Sequence, residues 1–211
     1  NLDVSHFNTA NVVNMDAMFS NMPRVQSLDV SRFNTSKVTN MNQMFYGVGT
    51  VETLNLSNFD TSKVTRMGYM FTGMSNLKSL DISNFDLSKV EQSYRMFTDT
   101  ERLVDFNAAV RSVPTRSVSK LDMFVRSNFT KVTLNETGKF WLDSTAKFGD
   151  VDVLGYTKRW VREDGSQGPY TVDEMYRQWN PSMYGVWVRE KVATDYKINF
   201  DTQGTGESIA K

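Results

Sequence analysis

LNLSNFDTSKVTRMGYMF, running from Leu54 to Phe71, is one of four segments that superimpose without a gap. The others are LDVSHFNTANVVNMDAMF from Leu2, LDVSRFNTSKVTNMNQMF from Leu28 and LDISNFDLSKVEQSYRMF from Leu80, which sets a period of 26 residues. Apolar residues recur in columns: Leu2, Leu28, Leu54, Leu80; Phe7, Phe33, Phe59, Phe85; and Val12, Val38, Val64, Val90. Two more columns hold Met18, Met44, Met70, Met96 and the adjacent Phe19, Phe45, Phe71, Phe97. A unit this short cannot bury its apolar face alone, so stacking neighbours must complete the core.

Within a unit the spacing V-x-x-L-x-V-x-x-F (Val25, Leu28, Val30, Phe33) matches the strand-and-turn half of a leucine-rich repeat. Leu28 and Val30 alternate with Ser27, Asp29 and Ser31, the period-2 pattern of a half-buried strand. N-T-S or D-T-S follows, residue types that bond their own backbone and turn the chain. Val38, Met41, Met44, Phe45 and Val48 then fall at steps of three and four, the apolar face of a short helix. The spacing therefore predicts parallel strands near Leu28–Val30, Leu54–Leu56 and Leu80–Ile82, and helices near Met41–Phe45 and Met67–Phe71. A fifth, degenerate unit has Phe106 in the Leu slot, Met123-Phe124 one residue late, and Pro114 interrupting it. The expected fold is an α/β leucine-rich-repeat solenoid over residues 1–134, with parallel strands, short helices and a 26-residue period.

The composition changes after about Thr137. Tyr156–Glu163 (YTKRWVRE) reads as a strand, Thr171 and Glu174 have capping-box spacing for a helix over Val172–Trp179, and Asn180-Pro181 ends it. Tyr184–Glu190 (YGVWVRE) reads as a second strand, placing Trp160 and Trp187 to pair across the two. Residues 135–193 are expected to form a small α+β capping module, and 194–211 (YKINFDTQGTGES from Tyr196) the start of a following β-repeat or a linker.

Lys plus Arg and Asp plus Glu each number 24, so there is no electrostatic case for nucleic acid or an anionic membrane. No stretch approaches the ~20 apolar residues that cross a bilayer, so no membrane insertion is expected in this stretch. Without Cys there are no disulfides, thiolate metal sites or Cys nucleophiles. His6 is the only His and has no triad partner nearby in sequence, and neither a Gly-rich phosphate loop nor His-based metal spacing occurs. The chain opens in the middle of its pattern and reads as a piece of something longer.

LSNFDTSKVT-x-M-x-x-MF, with Met74 closing its unit, resembles the BspA-like leucine-rich-repeat family of bacterial surface proteins over about residues 1–134. The fourth unit departs from the pattern, with Leu87 for Thr and Ser93 for Met. KRWVRE…YTVDEMY…YGVWVRE is similar to the module that follows such repeats in lactobacilli, and YKINFDTQG resembles the start of internalin-type β-repeats. The resemblance implies export, attachment to a Gram-positive cell wall through other parts of the protein, and adhesion to a host or matrix macromolecule, protein or glycan.

The exposed strand positions carry an Asp/Asn column (Asp3, Asp29, Asn55, Asp81, Asn107) and a Ser column. Stacked carboxylates can hold a hard cation, but a hydrogen-bonded ladder that keeps the register is the simpler reading. Positions that break the repeat are more informative: His6, Arg32, Asn58, Asn84 in one column and Gln26, Glu52, Lys78, Val104 in another. From these, Arg32, Glu52, Asn58 and Lys78 are the candidate ligand-binding residues. Lys37, Lys63 and Lys89 read as a solvated stripe, and the Met columns as core. A non-enzymatic, monomeric adhesion module with no cofactor or metal is expected. The alternatives are a structural spacer projecting other domains and, more distantly, a glycan-active enzyme.

Overall fold

In the computed structural model, which describes residues 2–193, the M-x-x-M-F spacing does not make a helix. Met44, Tyr46 and Val48 donate their N–H groups three residues back, to Met41, Gln43 and Phe45 at 3.3, 3.0 and 3.3 Å. The alternate N–H groups leave the unit altogether. Met41, Gln43, Phe45 and Gly47 donate to Arg66, Gly68, Met70 and Thr72 of the next unit at 2.9, 3.0, 3.0 and 2.8 Å. An α-helix would send every donor four residues back. Here a left-handed residue recurs at every fourth position, alternating the direction of the groups: Gln43 has φ 53° and Gly47 φ 69°. The same pair recurs as Ala17 and Asn21, Tyr69 and Gly73, and Arg95 and Asp99, with φ between 52° and 75°. Each unit is thus a rung of consecutive turns, bonded to the next rung along its length.

The strand half is also shorter than the alternation implies. Ser31, Ser57 and Ser83 donate their N–H groups to the side chains of Asp29, Asn55 and Asp81 two residues earlier, at 2.9, 3.0 and 2.8 Å. Those turns take the donors a longer ladder would need. Leu28 therefore forms only an isolated parallel bridge to Leu2, and Leu54–Leu56 forms no strand. Of the three expected strands, only Ser79–Asp81 is one (β1).

The expected α/β leucine-rich-repeat solenoid with short helices is corrected by these observations. Among the described residues there is one α-helix, α1 at Val172–Gln178, outside the repeats. The regular sheet is a single mixed sheet of five strands in the order β1-β2-β3-β5-β4. β1 pairs in parallel with β2 (Asp105–Asn107), and β2 with β3 (Lys131–Leu134), in registers that put Leu80, Phe106 and Val132 side by side. β5 (Gly185–Lys191) then runs antiparallel to β3, and β4 (Tyr156–Arg162) antiparallel to β5. The β-repeat or linker read at 194–211 lies outside the described residues.

Two features hold the rungs. Phe19, Phe45, Phe71, Phe97 and Phe124 stack ring on ring, with centroids 5.8, 5.8, 5.4 and 5.2 Å apart and planes within 12° of parallel. Buried Thr9, Thr35 and Thr61 form a hydroxyl ladder. Each accepts the N–H of the residue 25 ahead at 2.8 Å and donates to that residue's carbonyl at 2.9–3.2 Å. Both hydroxyl functions of a buried side chain are satisfied this way, with no desolvation penalty left over. At Leu87 the ladder stops, and its backbone N–H instead donates to Ser112 at 3.0 Å.

The C-terminal elements follow local signals closely. α1 starts at a complete capping box: Glu174 N–H donates to Thr171 Oγ1 at 3.2 Å, and Thr171 N–H to Glu174 Oε2 at 2.7 Å. The two tryptophans do not pair, however, because the register sets Trp160 opposite Arg189 and Trp187 opposite Arg162. Trp160 packs against Phe129 and Phe148 at 5.8 and 5.7 Å, while Trp187 faces Tyr170 at 6.1 Å.

Arg189 lies 2% exposed between the two regions. Its guanidinium donates to the carbonyls of Phe129, Val151 and Gly149 at 3.1, 2.8 and 3.0 Å, and lies over the Trp160 ring at 5.3 Å. Burial lowers its pKa to about 10, which leaves it charged at neutral pH.

Candidate functional site

The Asp/Asn column is occupied with its own backbone. Asp3, Asp29, Asn55, Asp81 and Asn107 each accept the N–H two residues on, and Asn107 Nδ2 also donates to Asp81 Oδ2 at 3.2 Å. Bonds from Ser5 and Ser31 hold the carboxyls of Asp3 and Asp29 below the ordinary value. Among the described residues no three His, Asp or Glu side chains gather in a way that would hold a metal ion. No helix there is long and apolar enough to cross a membrane.

The four candidate binding residues separate into three roles. Glu52 and Lys78, one rung apart, form an ion pair at 2.6 Å with both side chains 54% exposed. The Lys78 hydrogen bond holds the Glu52 carboxyl below its usual range. Asn58 donates its side-chain amide to the Ser31 carbonyl of the preceding rung. Asn84 does the same more extensively, reaching the carbonyls of Leu56 and Phe59, each at 2.9 Å. These asparagines pin one rung to the one before it. Arg32 is exposed and, among the described residues, enters no hydrogen bond or ion pair. The structure therefore joins Glu52 to Lys78, keeps Arg32 open to solvent, and gives Asn58 a structural contact.

Two open clefts lie at the C-terminal end of the rungs. One, of about 330 Å³, is lined by Lys147, Phe148, Asp150, Lys158 and Asp173. The other, of about 560 Å³, is lined by Pro114, Val118, Lys120, Leu121 and Phe140. Asp143 borders both. Burial pushes its carboxyl up, but hydrogen bonds from Thr145 and the Lys120 ammonium outweigh that and hold it below the usual range. It is ionised at neutral pH, the wrong state for a general acid.

Sequence reasoning missed two sets of residues. The N-T-S and D-T-S signal gives only turn chemistry, although Thr9, Thr35 and Thr61 recur at the 26-residue period in three of the four units and are buried. Tyr46, Tyr69 and Tyr94 went unnoticed because they occupy three different columns, yet their rings meet on the surface. Scanning the repeat for aromatics that break it would have found them.

Stacked rungs with self-satisfied columns define a repeat-built fold in which several exposed positions vary from rung to rung. The repeats match the model of the family described as Mycoplasma protein of unknown function, DUF285, over residues 1–53 and 22–137, and the chain belongs to that family. No curated protein and no solved structure matches the chain.

Proposed function

We propose that this chain is a non-enzymatic cell-surface binding module, carried on a bacterial cell wall by other parts of its protein. Its partner is a host or matrix macromolecule. The supporting observation is that inward columns repeat while some outward ones change from rung to rung, as in Gln26, Glu52, Lys78 and Val104. A rigid, interbonded stack presents that varied face at low entropic cost, and many copies on one surface would compensate for a weak polar contact. The likeness of the repeat to BspA-like surface proteins supports the same reading.

The test is an Arg32→Ala, Glu52→Ala, Lys78→Ala variant, with Asn58 left in place because its amide pins two rungs. With an unchanged melting profile, it should adhere to mucin- or matrix-protein-coated surfaces about tenfold less well. Undiminished adhesion would put the contact elsewhere on the molecule. No adhesion by the unaltered protein would favour a structural spacer, a reading supported by how many surface groups, Glu52, Asn58, Lys78 and Asn84 among them, are already paired within the chain.

A further inference from the structure

Tyr46, Tyr69 and Tyr94 come from three successive rungs and meet edge to face. Tyr46 and Tyr69 have centroids 6.3 Å apart at 82°, and Tyr69 and Tyr94 5.2 Å apart at 88°. All three are half-buried, and none of their hydroxyls hydrogen-bonds within the described residues. The strip does not come from repetition. The first-rung equivalents are Ser20, Ala17 and Asp16, and the position preceding Tyr94 in its column is Gly68. That glycine makes room for the ring, since a β-carbon there would lie 3.0 Å from Tyr94 Cζ and 3.2 Å from Asn42 Oδ1. Asn42 Oδ1 itself is an acceptor left without a partner.

The strip continues toward the C-terminal end. Arg95, beside Tyr94, donates its N–H to the Leu121 carbonyl at 3.0 Å, and Leu121 is 57% exposed. Leu121 in turn lines the 560 Å³ cleft with Phe140 and Lys120. The charges along the way are matched: Arg95 pairs with Asp122 at 3.3 Å, and Lys120 with Asp143 at 3.3 Å.

We infer that this strip and cleft bind a neutral, extended pyranose oligosaccharide. A pyranose ring has a C–H-rich face and a rim of hydroxyls. The C–H face suits the electron-rich faces of aromatic rings, and the hydroxyls suit free phenols and amides. Rigid, half-buried tyrosines give that contact with little side-chain entropy to lose. Local charge neutrality disfavours an anionic chain, and a track crossing several rungs fits a linear ligand better than a compact one. The inference names a ligand class for the surface-binding function proposed above and rests on that reading.

The experiment is calorimetric titration of the purified protein with cellohexaose and chitohexaose, with heparin as the anionic comparison. The decisive variant is Tyr46→Ser, Tyr69→Gln, Tyr94→Asn, in which each residue is replaced by one that other rungs carry at the same place (Ser20, Gln43, Asn42). Because those residues already occupy the same backbone, with φ 53° at Gln43 against 57° at Tyr69, the variant should keep its fold, which a thermal melt checks. The expected result is binding of at least one neutral hexasaccharide, weakened about tenfold or more in the variant and unchanged in Tyr176→Ser on α1. Binding of neither hexasaccharide, binding of heparin alone, or binding that survives the triple variant overturns the inference. Adhesion to coated surfaces, measured in parallel, separates the two proposals. Adhesion that persists in the triple variant removes the strip and leaves the surface-binding reading. Hexasaccharide binding without any adhesion does the reverse.

Discussion

The rungs before about residue 134 and the elements after it are held by different kinds of interaction. In the rungs the contacts that hold the core have translated copies: the Phe19–Phe124 stack, the Thr9–Thr61 ladder, the Asx turns. In the C-terminal part the contacts are single. Arg189 alone gathers three carbonyls from two segments, and Trp141 Nε1 alone reaches back to the Ala108 carbonyl at 2.9 Å. Redundancy makes the rungs tolerant of sequence drift, as the Leu87 departure shows. Uniqueness makes the later region dependent on a few residues. It also makes one strand, β5, responsible for continuing the parallel part of the sheet into its antiparallel part.

The sharpest way to break that comparison is Arg189→Met. Removing the guanidinium leaves the Phe129, Val151 and Gly149 carbonyls without their donor, at about 1–3 kcal/mol for each buried group, and so roughly 3 kcal/mol or more of stability. Arg189→Lys should not rescue it, because a single ammonium cannot span three carbonyls as a planar fork does. Denaturant melts check this, and a loss under about 1 kcal/mol would show that the C-terminal contacts are as redundant as those of the rungs.

Next comes position within the rungs. Phe59 is 2% exposed, lies in an inner rung and packs against Phe45 at 6.4 Å, so Phe59→Ala should cost ~3–5 kcal/mol, the usual range for a buried aromatic. Phe7, its counterpart in the first rung, is 49% exposed and stacks only on Phe33 at 6.4 Å, so Phe7→Ala should cost clearly less. Equal losses in the two melts would contradict the stacking order.

The smallest effect concerns acid. Hydrogen bonds from Ser62 hold the Asp60 carboxyl below its ordinary value of 3.8, and those from Ser166 lower Asp164 to about 2. A depressed folded-state pKa means the stabilisation is present above the ordinary value and disappears as pH falls through the folded one. The melting temperature should therefore hold steady from neutral pH to about 5 and decline as pH drops from 3.8 toward about 2. Asp60→Asn keeps the turn, as Asn34 does in the rung before, and should remove only a fraction of that decline because the other rungs retain theirs. A variant that abolished it would mean the acid response belongs to one site rather than to a repeated one.

Much of this was legible from residue order. The 26-residue period, the inward columns, the capping box at Thr171–Glu174 and two strands near Tyr156 and Tyr184 follow from spacing and local bonding rules, which operate over a few residues. The helices expected at Met41–Phe45 and Met67–Phe71 failed because steps of three and four are shared by a helix and by turns of three and four residues. A signal against the helix was present in the column Asn21, Gly47, Gly73, Asp99, residue types that accept a left-handed backbone. Among the candidate site residues, variability picked out Glu52, Lys78 and Arg32 as surface groups but could not separate them from Asn58, whose role depends on a carbonyl one rung away. Local chemistry thus set which residues face inward and where the chain turns. Contacts between residues in different rungs decided the rest: which N–H groups leave their own rung, how β5 joins β3, and which tyrosines meet. Those outcomes depend on distances in space that no single rung contains.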